Sequence, residues 1–287
     1  MIDTVLIHLS KGGNLMLRSL YSGISGMKGL QTKLDVIGNN ISNVNTAGFK
    51  ASRVSFQDTL SQKISGVTAP EEGTRGGVNS KQIGLGTNIA AIEVLHTPGS
   101  FQNTFVPTDL AIQGDGYFAV TPNGDGEEIL LTRVGNFTTD SAGNLVTAQG
   151  YLVLGVGGEA VNIPPEVTAY DIGSDGNITV TNEDGTTEVI AQIGLVRVIN
   201  PAGLENVGNS MYKMTLNANP DGELEVIEPE NIEEGTGSIV SGMLEMSNVD
   251  LTTELTEMIV AQRAYQANSR IITTSDEILQ ELVNLKR

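Results

Sequence analysis

Proline is confined to the middle of this 287-residue chain, and this constrains the fold more than any other feature of the sequence. All nine prolines lie between Pro70 and Pro229. Proline inside a helix removes a backbone hydrogen bond and clashes with the preceding turn, so long helices exclude it. The two ends of the chain are therefore free to form long helices, whereas the middle is not.

Both proline-free ends carry apolar residues at alternating spacings of three and four. On a helix this spacing draws one narrow stripe, which is typical of helices that pack on other helices. The N-terminal stripe comprises Leu17, Leu20, Ile24, Met27, Gln31, Leu34, Gly38 and Ile41, and the C-terminal stripe comprises Leu251, Leu255, Met258, Gln262, Tyr265, Ser269, Ile272, Asp276, Leu279 and Val283. We predict that both stripes are helical seams of a polymer interface. The alternative, a helical hairpin within one molecule, would leave much apolar surface uncovered.

The net charge of −18 is distributed unevenly along the chain. Residues 16–63 carry six basic and two acidic side chains, and residues 241–287 carry four basic and seven acidic ones. Residues 64–240 carry five basic and twenty-four acidic side chains. The two ends are thus electrostatically complementary, and the acidic middle argues against a surface for nucleic acid.

Composition removes several classes of chemistry. The chain has no cysteine, which excludes disulfides, thiol nucleophiles and thiolate metal sites. Its only histidines are His8 and His96. We expect His96 to be a surface or packed residue, since it has no second histidine nearby for zinc and belongs to no nucleophilic set. The sequence therefore predicts a protein that is not an enzyme and needs no metal or cofactor.

Motifs that resemble ligand-binding loops are better explained as turns. The GxGxxA segment that begins at Gly155 follows a predicted strand, but Pro164 and Pro165 forbid the helix that would hold a pyrophosphate. The Asp-Gly pairs lack the alternating oxygen ligands and the final glutamate of a calcium loop. No apolar run approaches the roughly 20 residues of a membrane-spanning helix, and no cleaved signal peptide is recognisable.

Residues 1–15 do not share the pattern that follows, and we expect them to be a non-native extension. Lys11, Gly12 and Gly13 can be encoded by a bacterial ribosome-binding sequence, which would lie just upstream of Met16. Our hypothesis is that the natural chain begins at Met16. A genuine flexible extension is the alternative.

The rest of the chain is expected to divide into four segments. An N-terminal helical polymerisation segment covers 16–61, with a helix from Leu17 to about Asn43, and a glycine-rich connector covers 62–88. A central β domain covers 89–234. A C-terminal helical polymerisation segment covers 235–287, with Asp250 as the expected N-cap of its helix.

Short alternating or β-branched runs between turn dipeptides predict an antiparallel β domain. The turn dipeptides are Asp115-Gly116, Asn123-Gly124, Asp125-Gly126, Asp175-Gly176, Asp184-Gly185 and Asp221-Gly222. The strand candidates are Tyr117–Thr121, Ile129–Arg133, Tyr151–Leu154, Ile178–Thr181, Val189–Val198 and Met211–Leu216. The predicted fold class is α+β, with long N- and C-terminal helices and a central, mainly antiparallel β domain.

Three motifs in the same order resemble those of bacterial flagellar rod and hook proteins. They cover residues 17–50, residues 109–118 together with 132–137, and residues 258–285. The first motif contains the signature turn of the family, here Asn39, Asn40, Asn43, Asn45, Gly48 and Phe49. The similar stretches span nearly everything after Met16, so the chain is identified as a member of this family.

The resemblance implies a tubular helical polymer, with the terminal helices in a coiled-coil-like inner layer and the β domain outside. The terminal stretches are most similar to the short hook protein of Gram-positive bacteria. This favours the flexible hook, which transmits torque from motor to filament, over the alternative, the rigid distal rod of the basal body.

The same resemblance implies partners and a location. The partners are copies of the chain itself, rod proteins below it, hook-cap and hook-filament junction proteins above it, and the flagellar type III export apparatus. The location is the flagellar hook or basal body, outside the cell after export. Phe56 and Leu60 resemble the Phe-x-x-x-apolar export element of such subunits, or they anchor the connector.

Overall fold

The computed structural model describes residues 2–67, 76–122, 128–164, 167, 169–181, 186–220, 224–231 and 235–285. The chain divides into two compact units. Unit 1 comprises Met1–Ile41, Ser52–Glu93 and Leu251–Arg287, and unit 2 comprises Ser42–Ala51 and Val94–Asp250. The chain is α+β, with a helix at each end and a mainly antiparallel β domain between them, as the sequence predicts.

Two long helices and many short strands make up the fold. The helices are α1 (Ile2–Ser42) and α2 (Leu251–Asn284), and a short 3-10 helix covers Pro201–Gly203. The strands are β1 (Ser52–Asp58), β2 (Ser61–Ser65), β3 (Lys81–Gly84), β4 (Thr87–Val94), β5 (Phe101–Asn103), β6 (Leu110–Gln113), β7 (Tyr117–Thr121), β8 (Leu130–Thr132), β9 (Thr138–Thr139), β10 (Leu145–Val146), β11 (Leu152–Val153), β12 (Ala169–Ile172), β13 (Asn177–Thr181), β14 (Thr187–Gln192), β15 (Leu195–Val196), β16 (Glu205–Gly208), β17 (Met211–Lys213), β18 (Ser238–Ser241) and β19 (Met243–Glu245).

In unit 1, α1 packs along α2 and against strand β1. Glycines on α1 permit the close approach: a Cβ at Gly26 would lie 2.8 Å from the Asn268 amide nitrogen, and one at Gly29 would lie 2.7 Å from the ring of Phe56. An ion pair of 3.0 Å joins Lys33 to Glu257. Because glycine lowers helix propensity, these positions are best explained by packing.

Unit 2 is built around a sheet whose strands follow the order β16-β17-β8-β7-β11-β10-β9, with β15 also paired to β7. A second sheet has the order β12-β13-β14, and two ribbons pair β18 with β6 and β19 with β5. These pairings are antiparallel. The sequence prediction of an antiparallel domain is therefore confirmed.

The centre of the larger sheet is buried on both faces. Along β7, Phe118 and Val120 join one apolar cluster, whereas Tyr117 and Ala119 join another. Alternate residues of a strand point to opposite faces, so one short strand supplies both clusters. In the first cluster Phe118 meets the ring of Phe137 edge to face, with centroids 5.2 Å apart.

Several local predictions need correction. Helix α1 begins at Ile2 rather than Leu17, because the preceding residues contain no proline and continue the helical backbone. The segments expected to be helical or connecting contain strands β1, β2 and β3, of which β1 pairs with β4 and β2 with β3. The long strand expected over Val189–Val198 is broken at Gly194, where a Cβ would lie 2.0 Å from a methyl group of Val226.

The turn dipeptides behave differently from one another. Asp175-Gly176 turns β12 into β13, with Gly176 at φ +75° and its N–H bonded to the Gly173 carbonyl, as a hairpin requires. Asp115-Gly116 instead joins β6 to β7, which lie in different sheets. The remaining dipeptides, at 123–126, 184–185 and 221–222, lie outside the described residues.

Gly48 of the signature turn provides a test of the fold of unit 2. It has φ +66°, and a Cβ there would lie 2.9 Å from the backbone nitrogen of Val134. We expect Gly48→Ala to lower the free energy of unfolding by about 3 kcal/mol or more, measured by urea denaturation, because strain and a clash with rigid backbone combine.

The matched control is Gly150→Ala. Gly150 has φ +86°, but no atom lies within 4 Å of the point that a Cβ would occupy there. Gly150→Ala should lower the free energy of unfolding by only about 1 kcal/mol, because it introduces backbone strain without a clash. Equal losses at the two positions would contradict the role assigned to the contact with Val134.

Candidate functional site

The expected N-terminal stripe lies partly against the rest of unit 1. Leu20, Met27, Leu34 and Ile41 are half-buried, and Ile24 is 41% exposed. The side chain of Leu17 lies outside the described part of the chain. Most of this stripe is therefore already in contact within the molecule.

The expected C-terminal stripe is divided between covered and uncovered positions. Met258, Ile272 and Leu279 are half-buried and belong to the flank of α2 that faces inward, together with the buried Ala261 and Ser275. Leu251, Leu255, Tyr265 and Val283 remain exposed, by 37% to 66%. Of the C-terminal stripe, these four residues therefore keep the exposed apolar surface that the sequence predicts.

A further apolar stripe on α2 was not expected from the sequence. Val260, Ile271, Ile278 and Leu285 are all exposed, by 44% to 82%. At 3.6 residues per turn they fall within about 40° of one another around the helix axis. Small or polar residues such as Ala267 and Thr274 fill the intervening turns of this face, which makes the pattern hard to see in the sequence.

The strand pair β2–β3 of unit 1 also carries exposed apolar side chains. The exposed residues on or beside these strands are Leu60, Ile64, Val67, Val78, Ile83 and Leu85. Isolated two-stranded ribbons are marginally stable in water, so such a surface favours cover by another chain. Of the two expected export residues, Phe56 packs beside Gly29 and is 40% exposed, whereas Leu60 is 85% exposed.

The signature turn supplies structural contacts. The buried side chain of Asn40 donates to the Ser52 carbonyl at 2.8 Å and to Glu254 at 3.0 Å, and accepts from the Ser52 N–H at 3.0 Å. Further along the turn, Gly48 donates its N–H to the Glu245 carbonyl at 2.8 Å. Asn39 and Asn45 are exposed, and Asn43 and Phe49 are half-buried.

Unit 2 contains a buried charge cluster formed by Lys50, Arg133 and Glu245. The Lys50 Nζ lies 2.6 Å from Glu245 Oε1, and Arg133 lies 3.3 Å from Glu245 Oε2. The side chains of Lys50 and Glu245 are wholly buried. Lys50 also donates to the Thr97 carbonyl at 2.8 Å, and Glu245 accepts from the Gly99 N–H at 2.9 Å.

The electrostatics of the charge cluster keep its carboxylate ionised. Burial alone would raise the pKa of Glu245, but the charges of Lys50 and Arg133 and the hydrogen bonds from Lys50 and Gly99 lower that pKa below its usual range. Burial lowers the pKa of Lys50, and the attraction of Glu245 only partly offsets this. The cluster therefore has one more positive than negative charge when all three groups are ionised.

His96 lies beside this cluster among aromatic rings. A hydrogen bond of 2.8 Å joins its Nδ1 to the Tyr117 hydroxyl, and its ring meets that of Tyr212 at 5.3 Å. Burial and the nearby charges of Lys50 and Arg133 lower the pKa of His96 to about 4. His96 is thus a packed residue held neutral, one of the two outcomes expected from the sequence.

The grooves of unit 2 do not include the groups whose pKa values are shifted. Two shallow grooves of unit 2, of about 420 and 460 Å³, share Ile129 and Leu224 in their walls. None of the residues with shifted pKa values lines either groove, although such residues usually mark catalytic clefts. Within the described residues, no group of three or more histidine and acidic side chains could hold a metal ion.

The surfaces described above define a class of protein: a subunit whose apolar helix faces are left uncovered in the single chain, as surfaces that contact another chain are. As far as the structure describes them, none of the helices combines the length and the apolar content needed to cross a membrane. Comparison with known proteins then identifies the family.

Three family models match the chain. "Flagella basal body rod protein" matches residues 20–50, "Flagellar hook protein FlgE/F/G D1 domain" matches residues 111–180, and "Flagellar basal body rod FlgEFG protein C-terminal" matches residues 240–285. The flagellar basal-body rod protein FlgG of Bacillus subtilis is 54% identical, with the match covering 95% of this chain and 100% of that protein. The chain therefore belongs to the flagellar rod and hook protein family, as its motifs predict.

Other relatives include both branches of the family. The rod protein FlgG of Borreliella burgdorferi is 40% identical over 95% of this chain and 100% of its own length. The hook protein FlgE of the same organism is 28% identical over 94% of this chain and 100% of its own length. These relatives are structural proteins of the flagellar basal body or hook, and they favour the rod over the hook, reversing the order expected from the terminal motifs.

Glu245 tests the charge cluster. We expect Glu245→Gln to lower the free energy of unfolding by about 3 to 5 kcal/mol, measured by urea denaturation, because it leaves two buried cations without a counter-charge. The control Glu128→Gln removes an exposed partner of Lys213, 3.2 Å away, and should cost about 1 kcal/mol or less. A loss at Glu245 no larger than at Glu128 would contradict the role of the cluster.

The same region should make the protein sensitive to acid. His96 has a pKa of about 4 in the folded protein against 6.5 in the unfolded chain, so only the unfolded chain gains a proton between these values. The stability contributed by neutral His96 is therefore lost as the pH falls from about 6.5 to about 4. Protonation of Glu245, whose pKa is lowered, removes further stability below 4.5.

Thermal denaturation between pH 4 and pH 7 checks this expectation. The His96→Gln variant should show a shallower fall in melting temperature over this range than the unmodified protein. Identical slopes would mean that His96 is not the group responsible.

Proposed function

We propose that this chain is a subunit of the distal rod of the flagellar basal body, where its copies polymerise into a rigid tubular drive shaft. The observation that carries the proposal is the row of exposed apolar residues on α2, in a chain 54% identical over its length to a rod protein. A hook subunit, which would form a flexible joint instead, is the second candidate, favoured only by the resemblance of the terminal motifs.

The exposed residues of α2 point to contact with other copies of the chain. One flank carries Leu251, Leu255 and Ile259, exposed by 43% to 59%, and another flank carries the stripe from Val260 to Leu285. Burying each such side chain contributes roughly 1.5 to 3 kcal/mol, so leaving both flanks in water is costly. Since α1 already covers a third flank, neighbouring copies are the proposed cover for the other two.

This proposal includes the inner layer that the family resemblance implies. Helices with apolar residues on several flanks suit the interior of a bundle, where each contacts more than one neighbour. The opposite charges of the two ends would favour the packing of α1 of one copy on α2 of the next. The polymerisation segments 16–61 and 235–287 and their seam residues remain part of this proposal.

The proposed partners and the proposed export route are those implied by membership of the rod and hook family. They are the rod proteins below the subunit, the components above it, and the flagellar type III export apparatus. We keep Phe56 and Leu60 as the proposed export element. Both side chains are exposed in the folded protein, by 40% and 85%, so neither is required to fill its core.

Substitutions on the exposed stripe test polymerisation. We expect Ile271→Asp with Ile278→Asp to leave the helical content and melting temperature nearly unchanged, because both residues are exposed, and to abolish polymers seen by electron microscopy. The control pair is Arg263→Gln with Arg270→Gln, which changes the net charge by the same amount at exposed positions between the two apolar flanks of this helix. Normal polymers from the first pair would contradict the proposed seam.

Deletion of the gene separates the two candidate functions. Loss of the distal rod in isolated basal bodies supports the proposal, and loss of the hook above an intact rod supports the second candidate. Normal motility with intact basal bodies would contradict both.

A further inference from the structure

A single phenylalanine in unit 2 is both strained and exposed. Phe105 has φ +58°, a conformation that residues other than glycine rarely adopt, and its side chain is 89% exposed. The chain has only six phenylalanines, and Phe118 and Phe137 fill the core. In the free subunit Phe105 therefore has two energetic costs, the strain of its backbone conformation and the exposure of its apolar ring to water.

The loop that carries Phe105 is well fastened. The N–H groups of Thr104 and Phe105 donate to the Gly242 carbonyl at 2.9 and 3.2 Å, and the Ser241 hydroxyl donates to the Pro107 carbonyl at 2.9 Å. The strand pairs β5–β19 and β6–β18 bracket the loop on both sides. Phe105 is therefore presented by a rigid support, as a binding anchor requires, rather than by a loose loop.

Elsewhere in unit 2, a groove of about 460 Å³ offers a matching apolar surface. Ile129, Val156, Leu224 and Val226 lie in its walls. Gly157 and Gly158 also line it, and a Cβ at either position would meet no atom within 4 Å. The pair of glycines thus leaves an open floor on which an aromatic ring can lie, framed by aliphatic side chains.

The distribution of charge also favours contact between the Phe105 loop of one copy and the groove of another. In an acidic domain most of the surface of one copy repels that of another. The loop of Phe105 lies in residues 97–108, which contain no charged side chain, and the glycine floor ends an uncharged run from Ser141 to Gly158. Two glutamates, Glu225 and Glu228, line the groove, but the loop brings no acidic group to oppose them.

We propose that Phe105 of one copy inserts into the Ile129–Leu224–Val226 groove of the next copy along the polymer. The loop and the groove are different surfaces, so the contact can repeat head-to-tail from copy to copy, and such contacts build open filaments when the rotation between copies does not close. A buried aromatic side chain covers about 150 to 250 Å². Stable interfaces need about 1,200 Å² or more, so the contact adds an anchor to a polymer that other surfaces hold together.

The proposal rests on the proposed function, since it requires a polymer of this chain. The first test is Phe105→Gly, which relieves the strain and should keep or raise the melting temperature of the free subunit. The same variant should raise the critical concentration for polymerisation about tenfold or more. The control Ile199→Ser changes another apolar residue of unit 2 that is 69% exposed and is not among the residues lining the groove, and it should leave that concentration unchanged.

The second test uses the absence of native cysteine. In polymers of Phe105→Cys with Leu224→Cys, mild oxidation should give a ladder of covalent dimers, trimers and longer species on denaturing gels. The pair Phe105→Cys with Ile199→Cys should give none. A ladder that stopped at the dimer would overturn the head-to-tail arrangement.

The outcomes separate this inference from the proposed function. Unmodified chains that do not polymerise would overturn both. Unmodified chains that polymerise, with a Phe105→Gly variant that assembles equally well and no ladder from the cysteine pair, would overturn the contact of Phe105 alone.

Discussion

The ionic contact between Lys50 and Glu245 is the interaction on which unit 2 most depends. It joins residues 195 positions apart, and Arg133 and the backbone of Gly99 add two further segments to the same carboxylate. Removing charges from water costs free energy, and in such a cluster the ion pairs and the hydrogen bonds to each charged group offset that cost. Because the aliphatic core lies around β7 and β8, this polar cluster fixes the segments that the core does not reach.

The sequence predicted elements whose stabilising residues are close together in the chain. Strands β7, β8 and β13 were found within a residue or two of their expected bounds, and α2 begins directly after the expected N-cap Asp250. In each case the pattern of apolar side chains or the capping residue is local. The fold class and the family follow from such local signals.

Elements that depend on distant partners were not predicted. Strand β1 pairs with β4 across a long stretch of polar chain, and neither strand has the uniform burial that marks β7. The charge cluster was also missed, since nothing in a sequence reveals which lysine meets which glutamate. One signal was available: Glu245 stands between Leu244 and Met246, an unusual setting for a carboxylate unless it is paired. The stripe from Val260 to Leu285 on α2 was not recognised, because Ala267 and Thr274 interrupt its apolar pattern in the sequence.

The division of the chain into units has a mechanical consequence. The polypeptide passes from one unit to the other at four places, after residues 41, 51, 93 and 250. A domain joined by one flexible linker transmits twist poorly, because rotation about a few backbone bonds absorbs it. Four covalent connections share the load, so force applied to one unit passes to the other through several stretches of backbone and does not depend on noncovalent contacts alone.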